Sequence, residues 1–274
     1  VSEQMTISPA LAEQVLEKLA FSYFPAVTEA GLAALYQAWC RKVPFDNIRK
    51  RIDACSEQRR PLPGATATDF FDHWLRLGTG GTCWAGHGAL YALLRFLEFP
   101  VSVGLSTMLS QRTSLAGSPG HGTLLINLEQ GSFIVDATML HGEPLPLREW
   151  YSTDPLWGTQ VHRSDGYWCV NWKPLGRPRL DCRLLERNVP TSEYPRRHEM
   201  SRHNSRFDGA LLIRLAEPEA IIGIVKGEQV VRNATGTETK MTLSNEEQRK
   251  LLIEQFGIAE EIAVMLPDNL VETH

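Results

Sequence analysis

The sequence has few cysteines, no basic excess and no long apolar run, and each lack removes a class of function. Five cysteines (Cys40, Cys55, Cys83, Cys169 and Cys182) are too few and too irregularly spaced for a disulfide framework. None forms a C-x-x-C pair, so neither a zinc knuckle nor a redox dithiol is indicated, and no metal site is expected. The net charge is −4, without the cationic surplus that a nucleic-acid partner demands. Arginines gather locally at Arg59-Arg60, Arg196-Arg197, Arg202 and Arg206, a pattern that usually marks solvated surface. No stretch approaches the roughly 20 apolar residues that cross a bilayer. Val1 to Leu16 has neither a basic n-region nor a continuous apolar h-region, so neither a membrane nor a signal peptide is expected. A reducing cytoplasm fits this cysteine usage, and there the formal sequon Asn233-Ala-Thr235 carries no meaning.

Several chemical motifs are missing as well. Neither G-x-G-x-x-G nor G-x-x-x-x-G-K-[ST] occurs, which removes the common phosphate loops. No G-x-S-x-G elbow is present for a serine hydrolase. His198-Glu-Met-Ser-Arg-His203 spaces its histidines five apart, whereas H-E-x-x-H needs four to share a helix face.

What is present is an ordinary globular composition, 274 residues with 43% hydrophobic and 22% charged, enough for two or three modest domains. Ser8-Pro9 opens a helix, with Leu11, Val15 and Leu19 on its buried stripe. A second helix is predicted over Gly31 to Cys40, ending near Pro44. Residues 53–69 read as a loop, and helical periodicity resumes at Phe70 and again from Trp84 to Glu98. Beyond Pro100 the texture becomes β-rich: Val101 to Leu109, Gly122 to Leu128, Ser132 to Ala137, Gln160 to His162 and Tyr167 to Trp172. Asn188 to Phe207 looks irregular. Gly209 to Leu215, Ala220 to Val225 and Gln229 to Asn233 predict a small antiparallel sheet, and Ser244-Asn-Glu-Glu247 is a capping box opening a last helix that Gly257 ends.

The most suggestive segment is Gly78-Thr-Gly-Gly-Thr-Cys83-Trp84. Glycines turn the chain just before a helix, so Cys83 falls near a first turn whose free N–H groups and dipole favour a thiolate. The plainer reading is an inert buried cysteine behind ordinary glycines. A nucleophilic cysteine needs a base, and the base an orienter. His121 follows Ser118-Pro-Gly120 and leads into a strand; the next strand, Phe133-Ile-Val-Asp136, ends in an acid. A hairpin with a loop of about 3–5 residues near Glu129 and Gln130 sets residue 121 opposite 137 or 138, within side-chain reach of Asp136. The competing reading makes Asp136 a turn cap and His121 a loop histidine. His87, four residues after Cys83, shares its helix face and is an alternative base or a pocket residue. The remaining histidines (His73, His141, His162, His203 and His274, with His198) have no such context.

Together these segments resemble the arylamine N-acetyltransferase family over nearly the whole chain. Val43-Pro-Phe-Asp-Asn47 is similar to its V-P-F-E-N signature, and Gly80-Gly-Thr-Cys83-Trp84 falls where it has R-G-G-[FY]-C-[FY]-E-x-N. His121-Gly-Thr-Leu-Leu resembles its H-x-x-L-L strand. Val135-Asp136 followed by Pro144-Leu-Pro-Leu147 resembles V-D-x-G-F-G…P…P-L, and Ser201 to Phe207 falls at its S-x-F motif. The resemblance implies an α+β, papain/transglutaminase-like cysteine-triad fold: an N-terminal helical bundle (1–98), a central β-barrel (99–190) and a C-terminal α/β lid (191–274). It implies a Cys83–His121–Asp136 triad and substrate contacts at Phe45, Trp84, His87, Gly120 and Thr138. It also implies ping-pong transfer from acetyl-CoA, another acyl-CoA or an acyl-carrier thioester, without a permanently bound cofactor. The partners expected are a small-molecule acyl acceptor and, for carrier-borne acyl groups, an acyl carrier protein.

The departures cluster round the nucleophile. Thr79 stands for the family arginine, Ala85-Gly-His87 for Glu-x-Asn, and Ala137-Thr-Met for Gly-Phe-Gly. Small residues at 85 and 86 lead to the expectation of room for a bulkier acyl chain or acceptor. Two rivals share the fold: a cysteine hydrolase with water as acceptor, and a non-catalytic binding protein.

Overall fold

Helix caps written in the sequence set the N-terminal architecture. The computed structural model describes residues 3–58, 60–109, 119–177, 179–203, 205 and 207–269; Arg59, Ser118, Arg206 and His274 lie outside the described residues. After a single 3-10 turn, α1 (Pro9–Lys18) starts with Ser8 accepting from the Leu11 N–H, as Ser8-Pro9 predicts. Thr28 caps α2 (Glu29–Lys42), and β1 (Phe45–Asp46) follows Pro44. The chain then makes α3 (Ile48–Ala54), a helix absent from the sequence reading. It is seven residues long, and its first N–H, that of Ile48, donates to Oδ1 of Asp46, the residue before the N-cap Asn47, whose own side chain makes no cap bond. Thr66 caps α4 (Ala67–Leu77), which Gly78 ends in the left-handed region at φ 74°. α5 (Cys83–Phe96) is apolar on nearly every side and forms the centre of the largest core, where Trp39, Phe70, Phe71 and Trp74 pack.

Eight antiparallel strands then build a strongly curved, barrel-like sheet. In chain order they are β2 (Val101–Leu109), β3 (His121–Leu128), β4 (Gly131–Val135), β5 (Leu145–Pro146), β6 (Trp150–Tyr151), β7 (Gln160–Ser164), β8 (Tyr167–Trp172) and β9 (Leu180–Glu186). Their spatial order is β5-β4-β3-β2-β9-β8-β7-β6. Leu125, Ile134, Val161, Val170 and Trp172 fill its interior. The β3–β4 hairpin is tighter than expected: Leu128 pairs with Gly131 across a two-residue turn, and Gly131, the first residue of β4, takes a positive φ of 142°.

Past α6 (Glu193–Met200), in a stretch that looks irregular by sequence, a second sheet runs β1-β10-β11-β12-β13. Its C-terminal strands are β10 (Leu212–Glu217), β11 (Ala220–Val225), β12 (Glu228–Asn233) and β13 (Glu238–Thr242). α7 (Asn245–Glu254), with both halves of the Ser244–Glu247 capping box formed, and α8 (Glu260–Ala263) cover one face of this sheet through Ile213, Ile222, Ile224, Leu252 and Phe256. The sheet takes its first strand from the Val43–Asn47 segment: Phe45 pairs with Arg214 and Asp46 with Ile213. No helix among the described residues is long and apolar enough to cross a membrane.

Two buried histidines make stability pH-dependent. His198 gives its ring Nε2 to the Pro63 carbonyl at 3.0 Å, and His141 lies among Trp150, Trp157 and Trp172. Burial lowers both to about 4. A folded value below the unfolded one means that the stabilisation is whole above about pH 6.5 and is lost as pH falls toward 4. Asp46, raised by burial to about 6, works the other way, because acid relieves its buried charge. From pH 7 to pH 5 the histidines win, and unfolding in urea should show a net loss of about 2 kcal/mol. His198→Gln should weaken that slope; an unaltered slope would discount the assignment.

Candidate active site

Cys83 is the first residue of α5, as the glycine-rich lead-in predicts. Thr82 at the cap makes no side-chain bond, so the first N–H groups of the helix are left open. The geometry of the approach is set by glycine: a Cβ on Gly80 would sit 1.8 Å from the Pro44 carbonyl oxygen. The Gly80 N–H instead donates to Asp46 Oδ2 at 2.6 Å. Asn47 ties the same segment to the second sheet, donating to the Phe207 and Ala210 carbonyls at 3.0 Å each and accepting from the Leu212 N–H at 2.9 Å.

His121 opens β3 and Asp136 follows β4, and the two are joined by a 2.6 Å bond between His121 Nε2 and Asp136 Oδ2. The Leu124–Val135 register carries residue 121 to the level of 138, as the hairpin argument places it. Asp136 is held firmly. Its Oδ1 accepts the N–H groups of Thr138 (2.7 Å) and Met139 (2.8 Å), while Tyr36 Oη donates to its carbonyl (2.8 Å) and accepts its N–H (3.1 Å). With Oδ1 occupied by donors, Oδ2 faces His121 and fixes the proton on Nε2. That leaves Nδ1 as the basic nitrogen.

His87 is the third group at this centre. Its Nδ1–H donates to the Cys83 carbonyl at 2.7 Å, and its Nε2 accepts the Ala137 N–H at 3.3 Å and lies 3.6 Å from Asp136 Oδ2. Its ring meets that of His121 edge-on at 5.1 Å. Ala85 and Gly86 do not open space. A Cβ on Gly86 would lie 3.2 Å from that of Ala137, and the Cβ of Ala85 is 3.1 Å from one built on Gly81. The room expected for a larger acyl chain is filled by backbone: the small residues let α5 approach Ala137 closely enough for His87 to reach it.

Electrostatics correct one expectation. Burial pushes the Cys83 thiol up to about 12, and Asp136 adds to that, while the Trp84 N–H and the Lys50 cation pull the other way. Burial also lowers His121, against the attraction of Asp136. Burial therefore favours the neutral thiol at Cys83 and the neutral imidazole at His121, not the ready thiolate that the helix dipole suggests. For Asp136, burial is outweighed by the two imidazoles, and the carboxyl stays well below its usual range. The Nε2 atoms of His87 and His121 and the Asp136 carboxylate lie within 4.8 Å of one another, a set that could hold a metal ion. In that arrangement the His121–Asp136 and Ala137–His87 bonds would both have to break.

The other expected substrate positions are scattered. Phe45 is buried, edge-on to Phe207 at 5.3 Å. Trp84 packs on Tyr194 at 5.3 Å inside the core. Thr138 is buried beside Asp136 with its hydroxyl unpartnered, and Gly120 is exposed, its N–H bonded to the Ser106 carbonyl. Tyr36 escaped the sequence reading because it shares the core stripe of α2 with Leu32, Leu35 and Trp39. Tyr36→Phe would orphan the Asp136 N–H and leave its carbonyl only the longer bond from the Leu140 N–H at 3.3 Å. It should cost about 1–3 kcal/mol in denaturant unfolding and slow chemistry at Cys83 about tenfold or more. Arg196 and Arg197 are paired with Glu193, and Arg202 with Glu199 and Asp53, while Arg60 donates to the neutral Gln58 side chain.

No protein-family model and no curated protein sequence matches the chain. Solved structures do. Arylamine N-acetyltransferase from Salmonella typhimurium superposes with a TM-score of 0.78 at 18% identity, covering 94% of this chain and 99% of that one. The enzyme from M. tuberculosis gives 0.77 at 16% identity, with 90% and 93% covered. The Mycobacterium marinum enzyme in complex with CoA gives 0.76 at 17% identity, with 93% and 95% covered. The chain has the fold of these enzymes, with a mixed helix and sheet architecture built round an eight-stranded, barrel-like sheet.

Proposed function

We propose that this protein is an acyltransferase. It takes an acyl group from a thioester donor, an acyl-CoA or an acyl carrier protein, holds it on Cys83, and passes it to an amine by a ping-pong mechanism. The observation that carries this reading is the bonded His121–Asp136 pair, linked through His87 to the Cys83 carbonyl at the start of α5, on a fold shared with acetyltransferases.

The neutral resting pair sets the order of events. As Cys83 Sγ attacks the thioester carbonyl, its proton passes to His121 Nδ1, so the thiolate forms only as the C–S bond forms. The tetrahedral oxyanion is met by the open N–H groups at the start of α5. Collapse expels the donor thiolate, which takes the proton from His121 and leaves as a free thiol. An amine then attacks acyl-Cys83 and gives a proton to His121. The second collapse forms the amide, and the departing Sγ recovers that proton. Asp136 keeps the imidazole in one tautomer throughout. His87, locked between the Cys83 carbonyl and Ala137, holds α5 against the Asp136 turn. A mechanism that depends on a free thiol suits a reducing compartment, and we place the protein in the cytoplasm.

Intact-mass measurement after exposure to a panel of acyl-CoA and acyl-carrier thioesters tests the reading, with Cys83→Ala as control. The expected result is a mass increase equal to the acyl group, discharged by an amine. If the acyl group is lost to water equally fast with and without amines, the protein is a hydrolase instead.

A further inference from the structure

The second sheet contains two buried arginines, and they are treated in opposite ways. Arg232, on β12, is fully enclosed and saturated. It donates to the carbonyls of Lys173 (2.7 Å), Pro174 (2.9 Å) and Leu156 (3.3 Å), and pairs with Glu238. That is how a structural guanidinium looks. Arg214, on β10, is 8% exposed and has none of this. No ion pair among the described residues includes it. Its Nε is buried without a partner, and its Nη1 finds only the Met139 sulfur at 3.8 Å. The rest of the guanidinium lies over the ring of Phe45, 4.6 Å from the centroid.

Its position puts it at the reaction centre. Neighbours on β10 alternate: Ile213 and Leu215 join the helix-covered core of this sheet, whereas Ala216, on Arg214's own face, joins the core that holds Cys83. Met139, which touches Arg214, donates its N–H to Asp136. Thr138, one residue earlier in that turn, carries a second buried polar group without a partner. Asp136 is the carboxylate that acts on Arg214 through space, but its oxygens are committed to His121, Thr138 and Met139. A buried cation left unpaired is costly, and such a cost persists at functional sites where a ligand supplies the missing charge.

We propose that Arg214 is the receptor for a carboxylate on the substrate, so that this protein works on carboxylate-bearing molecules. The proposal rests on the acyl-transfer reading. The carboxylate can arrive on the acyl chain or on the amine acceptor. The pyrophosphate of a CoA donor does not fit the role, because it lies a whole pantetheine arm from the thioester carbonyl that must reach Cys83.

Two kinetic arms separate the sources. In the first, acylation of Cys83 by succinyl-CoA is compared with butyryl-CoA by intact mass; in the second, discharge of acyl-Cys83 by 3-aminobenzoate is compared with 3-methylaniline. One arm should favour the anionic compound by roughly 10- to 100-fold, the range of a charge-assisted hydrogen bond. That preference should collapse toward one in Arg214→Met and partly survive in Arg214→Lys. No anionic preference in either arm, or a preference unchanged in Arg214→Met, overturns the proposal. Calorimetry on Cys83→Ala keeps the two readings apart. Binding of 3-aminobenzoate or succinate that vanishes with Arg214→Met supports the carboxylate site even if no thioester ever loads Cys83, and equal binding by both proteins refutes it. Thermal unfolding guards against a structural explanation: relieving an unpaired buried charge should leave Tm equal or higher, whereas loss of a scaffold residue lowers it.

Discussion

Cys83→Ser should retain its fold and lose acyl-enzyme formation by at least about 10⁴-fold, and Cys83→Ala should lose it altogether. The argument turns on the closed environment of the side chain. Burial already pushes the thiol up to about 12, so the site gives a nucleophile little help before attack begins. Sulfur tolerates this because it is intrinsically nucleophilic and releases its proton to a neighbouring imidazole with modest driving force. A serine hydroxyl starts several units less acidic, and the lowered basicity of His121 cannot make up the difference. Rapid-mixing measurement of thiol release from an acyl-CoA reads the effect directly. Turnover in either variant comparable to the parent would remove Cys83 from the chemistry.

Asp136→Asn should be almost as damaging, by about 10⁴-fold, with little loss of stability. Two bonds dictate how the new amide must sit. The Thr138 and Met139 N–H groups both need an acceptor, so the amide oxygen stays where Oδ1 is. The NH₂ group then faces His121 Nε2 and donates to it, which moves the imidazole proton to Nδ1, the atom that must be empty to act as base. Asp136→Ala makes a poorer test, because it also orphans the two buried N–H groups. Comparing single-turnover acylation with the urea midpoint distinguishes these effects: Asp136→Asn should move the first and leave the second. An Asn variant that acylates normally would mean that tautomer control is not what Asp136 provides.

Much of this site is legible along the chain because its determinants are local. Two glycines place Cys83 at a helix start, and a short hairpin brings residue 121 to residue 136. The same holds for α1 and α7, whose caps lie within three residues of the bonds they make. What escaped either carries no clear local signal or depends on contacts between distant segments. The short helix α3 is capped by Asp46 from outside, the strand β13 is exposed and polar, and α6 has no side-chain cap. Tyr36 reads as one more apolar residue on α2, since nothing near it in sequence shows that its hydroxyl meets Asp136 a hundred residues on. Arg214 left a trace, a cation inside an otherwise apolar strand, but its lack of a partner is visible only in three dimensions. The thiolate expectation failed for a related reason: helix-end electrostatics can be read from sequence, whereas the burial that overrides them cannot.

The anchoring of Val43–Asn47 bears on how the chain can be divided. Asp46 fixes the loop ahead of Cys83, and its neighbour Asn47 spends its side chain on residues 207, 210 and 212. The support behind Cys83 is therefore finished only when the last quarter of the polypeptide has been made and docked. A nascent or truncated chain ending before residue 207 would carry Cys83, His121 and Asp136 with the clamp behind Cys83 half open. On the proposed function, reactivity at Cys83 should arrive late in synthesis, coupled to completion of the C-terminal sheet, and a separately produced fragment 207–274 should be able to restore it by complementation.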